Sequence, residues 1–307
     1  METRKLGSLE VSLVGLGCNN FGGRIDEDAT KAVVDAAIDA GITLFDTADV
    51  YGGGGKSEVL LGRALGARRD SVLVATKFGM PMGEGLAGAA PSYVQQACDA
   101  SLARLGTDRI DLYQLHAPDA AVPIEDTLGA LNELVVAGKV REIGCSNFTP
   151  EMIEQAAKAA ERDGLARFVS VQNELSLLRG DLAVVDAAAE HGLGILPYFP
   201  LSSGMLTGKY KRGEEPPEGT RLAGMPAERR ERALSDKVFD KVERLDAYAT
   251  SKGHTLLELA MSWLAGLPQM GSVIAGATKP EQAQANAASI AWALSADERA
   301  DVEAIAR

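Results

Sequence analysis

Short apolar runs rich in Val, Ile, Leu and Phe alternate along this chain with longer, Ala-rich stretches of helical period. The runs end in polar residues or glycine, which marks them as strands bounded by turns. This pattern predicts strands at Ser12–Leu16, Thr43–Asp46, Val72–Thr76, Asp111–Leu115, Glu142–Cys145, Val169–Gln172, Gly194–Pro197 and Ser272–Ala275. Helices are expected to begin near Asp26, Ser57, Pro91, Pro123, Thr149, Asp181, Asp236 and Pro280. Ser92 and Thr149 can cap a helix, and Pro91, Pro150 and Pro280 occupy first-turn positions that tolerate proline. Gly41, Gly106, Gly138, Gly164 and Gly192 stand where helices should stop.

The strand ends, taken at Gly17, Asp46, Lys77, His116, Cys145, Gln172, Pro197 and Ile274, recur at intervals of 25 to 39 residues, with one interval of 77. Such a repeat is one strand–helix unit. Eight of them predict a single (β/α)8 TIM barrel across residues 1–307. The long interval carries an insertion, Lys209–Arg232, rich in Gly, Pro, Glu and Arg, which reads as a mobile loop after the seventh strand, before a helical region Asp236–Leu267. Thr3–Val11 reads as an N-terminal β-hairpin around Gly7-Ser8 that plugs the barrel's lower end, and Ser295–Arg307 as a last surface helix. The doubly wound open sheet is disfavoured because Gly15-Leu16-Gly17-Cys18 lacks its GxGxxG fingerprint.

The composition narrows the function. Of 307 residues, 46% are hydrophobic and 24% charged, and the formal net charge is -12. An acidic surface repels phosphate backbones and anionic membranes, so neither nucleic acid nor a membrane is an expected partner. Any anionic ligand must be held by a local cluster of donors. The three cysteines, Cys18, Cys98 and Cys145, lie far apart with no CxxC, so neither a disulfide framework nor a metal site is expected. With no apolar leader at the N-terminus, the location expected is cytoplasmic. The pattern leaves the oligomeric state open.

Residues at the C-terminal ends of barrel strands converge on one face. Asp46, Lys77 and His116 each terminate a strand, and Tyr51 follows Asp46 by five residues in the glycine-rich stretch Tyr51–Gly55. Alone, each is more often structural than catalytic. Together they form a set: a buried Asp and Lys on neighbouring strands would pair, beside a phenol and an imidazole. An ammonium near a phenol should lower its pKa, which makes Tyr51 a general acid and base, with Asp46 fixing Lys77 and His116 polarising a carbonyl. His191 and His254 lie away from the strand ends and read as structural.

Several motifs together resemble the aldo-keto reductase superfamily: FDTADVYGGGGKSEVLLGRAL (45–65), ATKFG (75–79), LYQLHAPD (112–119), GKVREIGCSNF (138–148), VQNELSLL (171–178) and PYFPLSSGMLTGKY (197–210). They span nearly the whole chain in the family's order. The resemblance implies an oxidoreductase that reduces aldehyde or ketone carbonyls with NADP(H) or NAD(H), using Asp46, Tyr51, Lys77 and His116. It implies that Gly17, Cys18 and Asp46 lie beside the nicotinamide and that Ser146, Asn147 and Gln172 hold its carboxamide. Tyr198 would stack under the ring. The stretch Phe199-Pro200-Leu201 and the N–H groups of Leu201, Ser203, Gly204 and Leu206 would wrap the pyrophosphate, with Lys209 as a point charge. Gly276, Thr278, Lys279, Gln282 and Asn286 would meet the adenine half, and Arg221 would be an extra cation.

This chain departs from the family's pattern at three of those positions. Relatives often carry Ser at 199, Arg at 282 and Glu at 285, where this chain has Phe199, Gln282 and Ala285. The 2′-phosphate would then rest on Thr278, Lys279 and Arg221, and NADP(H) is favoured over NAD(H). Asn19, Asn20, Phe21 and Phe78 are expected to line the substrate pocket with Tyr51 and His116. Two alternatives stay open. One is a regulatory or scaffold member of the same superfamily with little turnover, although the channel-associated members typically carry extra N-terminal segments and this sequence starts almost directly at the fold. The other is a phosphate-handling barrel in which Lys77 forms a Schiff base.

Overall fold

The structure is a computed structural model, and it describes residues 1–306. In chain order the strands are β1 (Thr3–Leu6), β2 (Leu9–Ser12), β3 (Val14–Gly17), β4 (Leu44–Asp46), β5 (Leu73–Phe78), β6 (Ile110–Leu115), β7 (Val140–Ser146), β8 (Phe168–Gln172), β9 (Leu175–Ser176), β10 (Arg179–Gly180), β11 (Gly194–Ile195) and β12 (Val273–Gly276). The helices are α1 (Glu27–Asp39), α2 (Lys56–Leu65), α3 (Pro91–Leu105), α4 (Ile124–Val136), α5 (Pro150–Asp163), α6 (Ala183–His191), α7 (Ala227–Ala233), α8 (Asp236–Ser251), α9 (Leu256–Ala265), α10 (Pro280–Ala288) and α11 (Ala296–Ala306).

Eight parallel strands pair in the order β11-β8-β7-β6-β5-β4-β3-β12. The two ends of that row meet: Gly271 N donates to Ile195 O (2.9 Å) and Ile274 N to Pro197 O (3.1 Å). This is the expected (β/α)8 arrangement. Strand alternation sorts the side chains. Leu44, Ala75, Leu112, Leu196 and Ile274 fill the barrel interior together with Leu6, Leu9 and Val11 of the β1–β2 hairpin. The hairpin thus closes the barrel below, as the sequence pattern anticipates. Phe45, Val74, Phe78, Tyr113 and Leu115 face outward into the larger core under the helices.

Helix starts follow the local chemistry. Asp26 caps α1 by accepting from Ala29 N, and Thr149 caps α5 by accepting from Met152 N. The expected glycine stops at Gly106, Gly164 and Gly192 all adopt the left-handed conformation that only glycine takes without strain. Two regions differ from the sequence expectation. The 209–232 insertion is not wholly a loop, because α7 forms within it, started by Pro226. The helical region 236–267 breaks into α8 and α9 at Gly253, with Thr255 and Glu258 forming a reciprocal cap for α9. In the C-terminal helix, Arg307 lies outside the described residues. No helix among the described residues is long and apolar enough to cross a membrane.

Candidate active site

Alternation along β4, β5 and β6 turns Asp46, Lys77, Gln114 and then His116 toward the barrel axis. Lys77 is fully buried, and its Nζ donates to Asp46 Oδ2 (2.7 Å) and to Thr47 O (2.8 Å). Burial alone would pull the ammonium down, but Asp46 and then Tyr51 act against it, and the net direction is up. Lys77 therefore stays charged. The other Asp46 oxygen, Oδ1, accepts from Gln172 Nε2 (3.0 Å) and Gln114 Nε2 (3.2 Å). The carboxylate is thus paired and hydrogen-bonded at both oxygens, which is what a buried charge requires.

Tyr51 sits above this pair. Lys77 Nζ lies 5.1 Å from the centre of its ring, and the His116 ring meets it edge-on at 5.7 Å. Burial raises the Tyr51 phenol above its ordinary value, and Lys77 only partly offsets this while Asp46 adds to it. Lys77 does pull the phenol down, as expected, but desolvation outweighs it, so the net direction is up and Tyr51 is held protonated. Burial, and then the Lys77 charge, depress His116 to about 3, so its imidazole is neutral. Its Nδ1 is buried without a partner. A neutral imidazole carries one N–H, the form that can donate to a carbonyl oxygen.

Asp46, Tyr51 and His116 line the floor of a cavity of about 730 Å³, a size suited to a cofactor, and Lys77 is buried beneath that floor. Its walls include Gly17, Cys18, Asn19, Asn20, Ser146, Asn147, Gln172, Tyr198, Phe199, Pro200, Leu201, Ser203, Gly204, Lys209, Arg221, Gly276, Thr278, Lys279, Gln282 and Asn286. Three of the five non-glycine residues with positive φ among the described residues, namely Asn147, Phe199 and Ser203, lie in this wall. Strain of that kind persists where the surroundings impose it, commonly at ligand sites. Tyr198 Oη donates to Asn147 Oδ1 (2.8 Å), and Asn147 Nδ2 donates to His116 O (2.9 Å) and Ser146 Oγ (3.1 Å). This network couples the wall to the floor.

The cavity collects cations in an acidic protein. Arg24, Lys209, Arg221 and Lys279 line it, and none forms an ion pair among the described residues. Arg221 Nη2 donates to Asn19 Oδ1 (3.1 Å) and Asn20 Oδ1 (3.2 Å), and its guanidinium lies 5.1 Å over the Phe199 ring. Burial and the neighbouring Arg24 lower its pKa. Lys209 Nζ lies against Gly204, where a side-chain Cβ would come within 2.5 Å of it. Arg221 is partly buried and the other three are exposed, and cations gathered without carboxylate partners suit an anionic ligand.

Some expected residues are elsewhere. Phe21 and Phe78 are fully buried in the outer core and do not line the cavity, which corrects their assignment to the substrate pocket. The reason is parity: Lys77 points inward, so Phe78 points outward, where it stacks on Tyr113 at 4.7 Å. Leu206 is also buried beneath the wall, and its N–H, like that of Gly204, donates to Leu201 O instead of facing the cavity. The expected wrap by those two amides is corrected accordingly. Sequence reasoning missed Gln114, although its position opposite Lys77 in the β5–β6 register places it on the inner face. It also missed Arg24 and Glu218–Thr220, which reach the cavity from loops.

A family model described as the aldo/keto reductase family matches residues 13–307. Two curated relatives are each named a probable voltage-gated potassium channel subunit beta. The protein from Arabidopsis thaliana is 33% identical over 297 residues, covering 93% of this chain and 90% of its own length. The protein from Oryza sativa subsp. japonica is 34% identical over 292 residues, covering 92% of this chain and 89% of its own.

Proposed function

As the chain belongs to the aldo/keto reductase family, an oxidoreductase family, we propose that it is a cytoplasmic NADP(H)-dependent reductase of aldehyde or ketone carbonyls, working as one barrel unit. The observation that carries this reading is the charged Lys77–Asp46 pair set beneath a protonated Tyr51 and a neutral His116, at the floor of a cation-lined cavity.

The cavity residues fit a dinucleotide. Lys209, Arg221, Arg24 and Lys279 would offset its phosphates, and the Tyr198 face would support an aromatic ring. Such a cofactor supplies hydride to the carbonyl carbon. The chain's own part is the proton. Tyr51 Oη donates it to the carbonyl oxygen, and its raised pKa keeps that proton available across neutral pH. Lys77, held by Asp46, opposes the negative charge left on the phenol. His116 donates its one N–H to the same oxygen and orients it. Asn147, pinned by Tyr198 and to the His116 carbonyl, keeps the wall in register with the floor.

The strap Glu218–Arg221 lines the cavity, tied by Arg24 Nη2 to Gly219 O (2.6 Å). A strap of this kind would slow the escape of a bound dinucleotide and exclude water.

The test is a screen of carbonyl compounds with each reduced cofactor, repeated with Tyr51→Phe. Tyr51→Phe is expected to bind reduced cofactor normally by fluorescence while turnover falls by about 10²–10⁴-fold. Wild-type turnover in that variant would remove Tyr51 as the acid.

The names of the two plant relatives favour a second reading, in which this chain serves instead as a subunit of a potassium channel with little turnover. The two readings separate on turnover. A partner protein that only senses cofactor should oxidise it extremely slowly with every carbonyl tried, while a reductase should saturate with at least one.

A further inference from the structure

Behind Tyr51, a polar cluster is sealed between the barrel wall and the helices α2 and α3. Thr76 Oγ1 donates to Glu58 Oε1 (2.5 Å), and Arg104 donates through Nε to Glu58 Oε2 (2.6 Å) and through Nη2 to Ser101 Oγ (3.1 Å). Glu58 and Arg104 are thereby committed to each other. Asp49 lies in the same layer, only 1% exposed, and neither of its carboxyl oxygens has a hydrogen-bond partner. The buried Tyr113 hydroxyl has none either. Buried polar atoms are nearly always satisfied, so an unpartnered carboxyl asks for a physical reason.

Its place in the chain suggests one. Asp49 belongs to the turn that carries Tyr51. Beyond the end of β4 the backbone still follows β5, with Thr47 N donating to Ala75 O (2.8 Å) and Asp49 N to Lys77 O (3.1 Å). After that the turn is held by two long backbone bonds, Tyr51 N to Ala48 O and Ser57 N to Tyr51 O, both 3.2 Å, and at its far end by Ser57 Oγ, 2.8 Å from both Thr47 Oγ1 and Cys18 O. Then come four consecutive glycines, Gly52–Gly55, at φ values of 72, 78, 70 and 82°. Four left-handed glycines make a hinge with little resistance of its own. Asp49 is the buried side chain that anchors its leading edge.

We propose that Asp49 is a positioning residue for Tyr51: its uncharged carboxyl, buried behind β5, seats the Tyr51 turn, and its ionisation lifts that turn off the strand. The consequence for carbonyl reduction rests on the function proposed above; the movement of the turn does not. The groups facing Asp49 are Glu58 on α2, Tyr93 and Arg104 on α3, Lys77 on β5 and Tyr113 on β6. Burial, and then Glu58, push Asp49 up to about 7 against the pull of Arg104 and Lys77. Burial raises Tyr93 and Tyr113 and pushes Cys98 up to about 12, so those three stay neutral around pH 7. Once charged, Asp49 has no free cation to turn to, because Arg104 is held by Glu58. Water must then reach it, and the glycine hinge is the segment that yields.

Amide hydrogen exchange on the full chain, without cofactor or substrate, tests this at about pH 6 and about pH 8.5 after correction for intrinsic rates. Residues 50–57 are expected to lose about tenfold in protection at the higher pH, and Asp49→Asn to abolish that difference. Equal protection at both pH values in the wild type, or a pH difference that survives in Asp49→Asn, overturns the proposal. Should that variant fail to fold, the ¹³Cγ titration of Asp49 in the wild type decides: a midpoint near neutrality supports the proposal, and one in the ordinary carboxylate range overturns it. In the reductase assay, kcat should fall through neutral pH in the wild type and stay flat in Asp49→Asn. Exchange that responds to pH in a chain with no reductase activity would leave the positioning role standing and remove the proposed function instead.

Discussion

Lys77 Nζ stands 2.7 Å from Asp46 Oδ2, with the two side chains only 1% and 5% exposed. A pair buried this deeply contributes little net stability while intact, but breaking it leaves a charge stranded. Lys77→Met is therefore expected to destabilise the fold by about 3–5 kcal/mol, reduced to the extent that Gln114 and Gln172 still solvate Asp46. The double variant Lys77→Met/Asp46→Leu should recover much of that loss. Urea unfolding of the three proteins checks both statements, and a double variant no more stable than the single one would contradict them.

The neutrality of His116 has a measurable signature. Its pKa is pushed down to about 3 in the fold, while an unfolded histidine titrates near its ordinary value of about 6.5. Between those values the native state binds fewer protons than the unfolded state. Stability from this group is therefore intact above about pH 6.5 and is lost as pH falls toward 3. At pH 5 the loss is about 2 kcal/mol. His116→Gln should remove that part of the acid sensitivity. The check compares the unfolding free energies of variant and wild type at pH 7.5 and pH 5, where the gap should shift in favour of the variant on acidification.

How far the site could be read from sequence depends on which residues obey parity. Asp46, Lys77 and His116 were legible because each ends an apolar run whose alternation fixes its face. The same rule, applied one residue further, would have rejected Phe78 and found Gln114. Tyr51 and Asp49 are harder cases, since both lie past the strand in a glycine turn where no period operates. Asp49 reads as an ordinary turn residue until its burial is seen. The direction of the Tyr51 shift could not be had from residue types, because it depends on how far desolvation exceeds the field of Lys77. Arg24 and Gly219 reach the cavity from segments 195 residues apart in sequence, joined by one hydrogen bond that no local pattern encodes.

That bond, from Arg24 Nη2 to Gly219 O, holds the strap at one edge while Arg221 holds it through Asn19 and Asn20. Arg24→Ala keeps the second tie and removes the first. Losing this exposed, charge-assisted bond, together with one cation facing the cofactor's phosphates, should cost about 1 kcal/mol, which corresponds to roughly fivefold faster cofactor release. Stopped-flow displacement of reduced cofactor reads that rate. Because the catalytic floor is untouched, the single-turnover rate on pre-bound cofactor should stay within about twofold of wild type. An unchanged release rate would mean the strap does not gate the cavity.

Gln282 supplies the sharpest test of cofactor preference. Its Oε1 accepts from Thr278 N (2.7 Å) and Thr278 Oγ1 (3.1 Å), so the two donors at the mouth of α10 already face an acceptor. A neutral amide can swing away and surrender both donors to a phosphate, with Lys279 beside it. A carboxylate there would hold the same donors and add negative charge. Gln282→Glu is therefore expected to weaken NADPH by about tenfold, and to leave NADH within about twofold, because the second ligand lacks the 2′-phosphate that a carboxylate at 282 would repel. Fluorescence titration with each reduced cofactor measures the two constants directly. If both weaken equally, Gln282 acts on the adenine pocket as a whole and not on the 2′-phosphate. If neither changes, the phosphate is held away from α10 altogether, and Arg24 and Arg221 become the cations to replace next.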